Sequence, residues 1–299
     1  MSTQIELRTE IPNALTEPLE SWFFELDLSP WGLMQKEQGD PYHLFGYFPD
    51  DQAADAALAE LRAAFPELPE TFERTEIVDE HWQTAYKEFV KPWQDRSLHW
   101  IPLWERDTFP APAEGTATVY LDAGMAFGTG SHETTRLCAR RLLDYLETHG
   151  EVAKGKAVID AGCGSGVLAF SAAALGFSRI EAFDFDPEAI EVCHANAGEN
   201  PHLPAVDFAV ADLEEGLGGR SADLLLANIQ TDVLIPFADA IIQALAPGAT
   251  LALSGILATE RETVMEHFAL RCEALGRAVA KTDSRTDGEW VDLQIVLAD

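Results

Sequence analysis

Three closely spaced glycines carry the densest chemical signal in this chain. Val158-Ile159-Asp160-Ala161-Gly162-Cys163-Gly164-Ser165-Gly166-Val167 reads as an apolar strand ending in a carboxylate, then a glycine-rich turn, then a helix beginning near Val167. Such a turn lets the backbone approach a ligand closely, and the helix N-terminus that follows presents amides with no intrahelical partner. The chemistry this suits is the holding of a nucleotide-like ligand. A dinucleotide fingerprint, G-x-G-x-x-G, needs its third glycine at position 167. Val167 stands there, and the third glycine comes one residue early, at Gly166, which makes an NAD enzyme a remote reading.

The spacing G-x-G-x-G is instead similar to the turn of S-adenosylmethionine-dependent methyltransferases, with Gly162, Gly164 and Gly166 as cofactor-binding candidates. Asp184 closes the next apolar run, where a carboxylate can accept both hydroxyls of a ribose. Asp186-Pro187 just beyond it reads as structural, an Asp cap followed by a proline suited to the first helical turn. Asp212 follows the third apolar run and either reaches an adenine amine or is a solvated loop carboxylate. Asn228 ends the fourth run, Leu225-Leu226-Ala227-Asn228, at the mouth where open parallel sheets bind ligands. Its amide both donates and accepts, and so can orient an amine. Cys163 reads as a small buried filler rather than a nucleophile.

The elements that must position these residues alternate. Lys156–Asp160, Arg179–Asp184, Val206–Val210, Asp223–Asn228 and Thr250–Ser254 are short apolar runs, and helical patterns over Val167–Leu175, Pro187–Asn196 and Val233–Leu245 separate them. This order predicts a parallel sheet covered on both faces. Gly276–Thr282 and Trp290–Ala298 predict a hairpin closing the sheet edge. Upstream, the pattern is that of a small α+β domain. It has strands near Gln4–Arg8, Tyr42–Phe48 and Thr71–Ile77, helical spacing of Leu15, Leu19 and Trp22, and a helix over Asp51–Phe65 capped by Asp50 or Asp51. Trp82, Tyr86 and Phe89 predict a short docking helix over Asp79–Val90, with a connection running to about Pro112. The expected organisation is therefore residues 1–78 as a recognition domain, 79–112 as linker helix and linker, and 113–299 as the ligand-binding domain.

Charge narrows the partners. The 299 residues carry 20 Lys plus Arg against 51 Asp plus Glu, a net charge of −31, with −13 of it in residues 1–100 and the rest downstream. A field of this sign repels polyanions, so direct nucleic-acid binding and anionic membranes are not expected, and it draws in basic partners. Adaptation to a salty cytoplasm would produce the same surface. Cys138, Cys163, Cys193 and Cys272 lie far apart without C-x-x-C spacing, and His149, His194 and His202 have no ligand-like spacing. No metal site or disulfide framework is expected. Without a signal-peptide pattern at Met1–Glu10 or an apolar run long enough to span a bilayer, a cytoplasmic monomer is the expectation.

With these residues in view, the chain resembles the PrmA family, which methylates large-subunit ribosomal protein eleven. The resemblance rests first on Ala126-Phe127-Gly128-Thr129-Gly130-Ser131-His132-Glu133-Thr134-Thr135. It continues through Asp160–Gly166, Phe183-Asp184-Phe185-Asp186-Pro187, Ala227-Asn228-Ile229 and Leu253-Ser254-Gly255-Ile256-Leu257, in the family's order. Trp82, Lys91-Pro92-Trp93, Trp100-Ile101-Pro102 and Trp104-Glu105 resemble the family's linker, so that residues 79–299 are covered. The resemblance implies a class I, Rossmann-like methyltransferase domain with a mixed seven-stranded sheet, preceded by a small α+β ferredoxin-like domain that holds the ribosomal protein. It implies S-adenosylmethionine as cofactor, bound by Thr135, Gly162, Asp184 and Asn228, and lysine or N-terminal amines as acceptors. Gln230-Thr231 departs from the Leu-Ala usual in the family.

On this reading Asn228 orients the acceptor amine, Phe127 walls the methyl group, and His132 either removes a proton, orients substrate, or is a loop histidine bonded to the Gly128–Gly130 turn. Glu133 is expected to cap the helix that begins near Thr134. Two other functions compete. One is methylation of another basic protein or a small molecule. The other is a cofactor-binding assembly factor without turnover.

Overall fold

The computed structural model describes residues 3–25, 30–34, 41–78, 90–110, 113, 115–122, 130 and 132–299. The helix expected over Asp79–Val90 falls outside the described residues except at its last position, and Phe127 lies outside them as well. The chain divides into two compact units, Met1–Glu88 and Phe89–Asp299.

In the first unit, β1 (Thr3–Ile11), α1 (Thr16–Glu25), β2 (Trp31–Met34), β3 (Tyr42–Phe48), α2 (Asp51–Ala64) and β4 (Glu73–Val78) follow one another. They form an antiparallel sheet in the order β2-β3-β1-β4. Alternation sends Ile5, Leu7 and Ile11 of β1 to one face, where Leu19 of α1 and Ala54 and Leu61 of α2 cover them. Asp50 caps α2, its Oδ1 accepting from Ala53 N at 2.8 Å. Strand β2 was not foreseen, because four residues containing Gly32 offer too little alternation. Phe45 of the neighbouring strand lies across that glycine, and a Cβ there would sit 2.8 Å from its ring.

The second unit opens with a three-stranded sheet of β5 (Trp93–Asp95), β6 (Leu98–Pro102) and β7 (Ala117–Leu121). Part of the segment expected as connection is thus strand. Trp100 Nε1 donates to the buried Ser171 Oγ at 2.7 Å, fastening β6 to the main domain. Asn196 and Asn200 bond the backbone of Asp122 and Tyr120, taking the place of a further strand at the β7 edge.

The main sheet is made of β8 (Ala157–Ala161), β9 (Arg179–Asp184), β10 (Asp207–Val210), β11 (Ala222–Asn228), β12 (Leu245–Leu257), β13 (Val279–Asp287) and β14 (Trp290–Leu297). Its order is β10-β9-β8-β11-β12-β14-β13, parallel except for β14, which runs antiparallel to both neighbours. Alternate residues of single strands feed opposite cores. Val158, Leu224 and Leu226 pack with α3 (Glu133–His149), α4 (Val167–Ala174) and α5 (Pro187–Glu199). Ile159, Leu225 and Ala227 pack with α8 (Ala238–Gln243) and α9 (Arg261–Ala274). Burial on both faces explains why these strands read as unbroken apolar runs rather than alternating ones.

Two further helices among the described residues are short: α6 (Leu213–Leu217) and α7 (Thr231–Leu234). The single helix expected over Val233–Leu245 is instead α7 and α8. Pro236 has no amide to donate, and the bonds around it, Phe237 N to Val233 O and Ala238 N to Ile235 O, stretch to 3.4 Å. Helix α9 was not among the sequence expectations, although Val264, Phe268 and Cys272 recur at intervals of four along its buried side.

From β8 the chain winds outward through β9 and β10, then returns to β11 on the opposite side of β8. The crevice outside the C-terminal ends of β8 and β11 is therefore the topological switch point of the sheet, the place where folds of this class bind ligands.

Candidate active site

At that switch point lies a cavity of about 680 Å³. Gly162, Gly164, Asp184, Phe185, Ala211 and Asp212 line one end, and His132, Asn228, Gln230, Val233, Phe237 and Trp290 the other.

The glycine turn forms for identifiable reasons. Gly162, Gly164 and Gly166 all have positive φ, at 68°, 53° and 80°, a region open to glycine at no steric cost. A Cβ on Gly162 would also come within 3.0 Å of Ile229, and one on Gly166 within 2.9 Å of Phe170. Gly162 N and Cys163 N both donate to Phe183 O, which binds the turn to the end of β9. Beneath it, the fully buried Asp160 accepts from Ala169 N at 2.9 Å, holding the first turn of α4. Burial pushes the Asp160 carboxyl up to about 7, the nearby Asp184 adding to the shift and the Ala169 bond opposing it.

Asp184 is buried at the end of β9. Its Oδ2 accepts from Gly164 N at 2.9 Å and its Oδ1 from Asp186 N at 3.1 Å. Both oxygens are thus fixed by backbone amides, and each retains capacity to accept a hydroxyl proton. Asp186 caps α5 through Glu188 N, with Pro187 in the first turn, as its sequence indicates. Asp212 caps α6, its Oδ1 accepting from Glu214 N and Glu215 N at 2.9 Å, while it is exposed on the cavity wall. Cys163 is buried with its Sγ 3.8 Å from that of Cys193. The hydrogen bond between them and burial push the Cys163 thiol well up, which suits packing and not nucleophilic attack.

At the other end Asn228 donates from Nδ2 to Thr135 Oγ1 at 3.2 Å. Its Oδ1 is buried and has no hydrogen-bond partner among the described residues. A buried acceptor left unpaired is costly. His132, and not Glu133, caps α3: its Nδ1 accepts from Thr134 N at 3.3 Å and lies 2.8 Å from Thr134 Oγ1. Glu133 occupies the first turn instead. The His132 ring meets Trp290 edge to face, at 5.0 Å between centroids. Gly255, with φ at 84°, brings β12 against Ile229, where a Cβ would lie 2.6 Å from a backbone oxygen.

Most of the residues singled out in the sequence converge on one cavity. Gly162, Gly164, Asp184, Asp212, Asn228 and His132 line it. Thr135 stands behind Asn228, and Gly166 lies at the start of α4, against Phe170 and Cys193. Sequence reasoning gave no site role to Phe185, Gln230, Phe237, Gly255 or Trp290. Phe185 had a local signal, since a phenylalanine directly after the strand-ending Asp184 is 79% exposed on the cavity wall. Trp290 had none, because it reaches the site only through the pairing of β14 with β12.

These features test whether S-adenosylmethionine fits. The glycine cradle leaves room that side chains would fill, and Asp184 and Asp212 suit ribose hydroxyls and an amine. The residues fit it.

The doubly wound fold with its antiparallel β14, and the glycine turn facing Asp184 and Asn228, define a class I methyltransferase. The family model described as ribosomal protein L11 methyltransferase (PrmA) matches residues 21–297, reaching into the first unit as well. The chain belongs to that family. A ribosomal protein L11 methyltransferase of Pelobacter propionicus is 34% identical over 96% of this chain and 95% of its own length. One of Pelotomaculum thermopropionicum is 40% identical over 83% of this chain and 77% of its own. Among solved structures, a ribosomal protein L11 methylase from Lactobacillus delbrueckii subsp. bulgaricus matches with a TM-score of 0.57 at 25% identity, covering 69% of this chain and 97% of that one.

Proposed function

We propose that this methyltransferase transfers methyl groups from S-adenosylmethionine to lysine and N-terminal amines of ribosomal protein L11. The observation that carries the chemistry is the cavity at the switch point, lined by the glycine turn and Asp184, with Asn228 on the strand beside that turn. Family membership supports the acceptor.

When bound, the sulfonium supplies an electrophilic methyl group whose in-line displacement needs no acid at the leaving sulfur. The protein's task is alignment, which can supply roughly 7–11 kcal/mol of the barrier. Asn228, its Nδ2 held by Thr135, is assigned to orienting the acceptor amine. The amine must be neutral, whereas lysine in water titrates near about 10.4. Phe237, Val233 and Trp290 make that end apolar, and desolvation favours the uncharged amine. His132 lies at the start of α3, its Nδ1 near Thr134 N and Oγ1, and is assigned to orienting substrate or removing its proton. Phe127 keeps the role of methyl wall as a proposal from the sequence alone.

The β-α-β-β-α-β order of the first unit supports a ferredoxin-like domain, which we assign to holding the ribosomal protein. The chain's net charge of −31 complements a basic acceptor and supports a protein partner over bare nucleic acid. Among the described residues no helix is long and apolar enough to cross a membrane, and a cytoplasmic place beside the ribosome agrees with the proposed substrate.

Mass spectrometry of large-subunit ribosomal proteins, after incubation with the enzyme and S-adenosylmethionine, tests the proposal. Methyl-sized mass gains on protein L11 are expected. No gain there, with cofactor binding intact, would move the search to other basic proteins.

A further inference from the structure

Gln230 lines the acceptor end of the cavity, two residues beyond Asn228, and its side chain is exposed. The backbone on both sides of it is pinned. Before it, Ile229 N donates to Ser254 O at 3.0 Å. After it, Thr231 Oγ1 donates to Glu260 Oε2 at 2.8 Å, and the same carboxylate oxygen accepts from Leu257 N at 3.1 Å. Glu260 therefore clamps the segment after β11 to the end of β12. Gln230 O itself accepts from Val233 N and Leu234 N. Against this fixed backbone the side-chain amide is uncommitted. It does not cap α7, and it makes no hydrogen bond among the described residues.

We propose that Gln230 is a specificity-determining residue that hydrogen-bonds the peptide backbone of the protein acceptor beside the amine being methylated. A primary amide carries one acceptor and two donors, which match the N–H and C=O of a peptide group. Being neutral, it does not select among charged neighbours in the acceptor. It also stands away from the ribose end: Asp184 is on β9, two strands from β11, or roughly 10 Å at the usual strand spacing. Val233 and Phe237, on the same wall, offer apolar surface to the methylenes of an acceptor side chain.

The inference rests on the proposed acceptor, so the wild-type enzyme is assayed on purified ribosomal protein L11 alongside Gln230→Leu. Binding of S-adenosylhomocysteine is measured by calorimetry on both. Leucine keeps much of the side chain's bulk and removes both hydrogen-bonding functions, and the exposed position predicts an unchanged thermal midpoint. KM for L11 is expected to rise about tenfold, as loss of one or two neutral hydrogen bonds implies. The fall in kcat is expected to be smaller than that rise, and the affinity for S-adenosylhomocysteine to stay within about twofold. Gln230→Glu, which keeps an acceptor and loses the donors, should fall between. Wild-type turnover with KM unchanged in Gln230→Leu would overturn this inference alone, as would an equal loss of S-adenosylhomocysteine affinity. Absence of wild-type turnover on L11 would instead overturn the proposed acceptor, and this inference with it.

Discussion

At the end of the cavity built from β8, β9 and β10, the carboxylates are already held by backbone. Asp184 accepts from Gly164 N and Asp186 N, Asp212 from Glu214 N and Glu215 N, and Asp160 below them from Ala169 N. At the end built from β11, β12 and the C-terminal hairpin, two side-chain amides keep unused groups, the buried Oδ1 of Asn228 and the exposed amide of Gln230. The first end is rigid before any ligand arrives, which suits a small molecule that is the same in every turnover. The second holds side-chain groups that the described residues leave unpaired. An enzyme that joins a constant donor to a protein acceptor needs both, because holding the acceptor end equally closed would exclude a chain that must come and go.

That difference can be broken hardest from behind the second end. Arg141 on α3 is buried and grips the buried Asp292 of β14 with two bonds, Nε to Oδ2 at 2.8 Å and a terminal nitrogen to Oδ1 at 2.6 Å, while its other nitrogen meets Asp283. Burial pushes the Asp292 carboxyl up and the Arg141 bonds oppose it, and the two-pronged geometry is that of an ion pair. This pair ties the helix that begins after His132 to the strand that begins at Trp290. Arg141→Ala strands a buried carboxylate and should destabilise the protein by about 3–5 kcal/mol in denaturant unfolding. Replacing both partners with apolar residues of similar volume should recover most of that loss, and failure to do so would show that the hairpin needs the charge itself.

A smaller effect is expected at the cofactor end. Asp184→Ala removes a carboxylate that accepts from two backbone amides and is proposed to accept from ribose hydroxyls. Hydrogen bonds to charged groups contribute about 1.5–3 kcal/mol. S-adenosylhomocysteine should therefore bind about ten- to a hundredfold more weakly, with KM for the protein acceptor changed far less. Equal losses for both ligands would erase the distinction between the two ends.

The smallest effect concerns pH. Asp160 rises from 3.8 to about 7 on folding, so over that interval the folded state holds a proton that the unfolded state has released. Its contribution to stability is complete below about pH 4 and is lost as the pH rises through about 7. Between about pH 6.5 and 7.5 the loss is expected to stay below about 1 kcal/mol. Asp160→Asn can still accept from Ala169 N and removes the titration, so its thermal midpoint should fall less than the wild type's over the same range. Parallel curves would mean that Asp160 is ionised throughout.

How legible the two ends were follows from how they are made. The strand, turn and helix around Gly162–Gly166 are consecutive in the chain, and a sheet buried on both faces advertises its strands as apolar runs. Asp184 and Asn228 could be found because each ends such a run, and strand ends in a parallel sheet share one edge. The cap of α2 and the Asp186-Pro187 start of α5 are likewise local events between residues two or three apart. Where local rules competed, they misled: Glu133 seemed the cap of α3 because acidic residues favour first turns, but His132 has the extended backbone the position requires. Pro236 broke a helix whose apolar spacing looked continuous.

The chain itself thus determined the fold class, the glycine cradle and the carboxylate that faces it, since all three depend on backbone freedom and burial patterns encoded within short stretches. Only the tertiary structure decided the end built from β11, β12 and the C-terminal hairpin. Trp290 meets His132 because β14 pairs antiparallel with β12 and Arg141 holds Asp292. Gln230 is presented because Glu260 clamps its neighbour. Those contacts join residues up to about 160 positions apart, and no local propensity specifies them. They follow from which strands pair and which side chains are left unpaired once the core has closed.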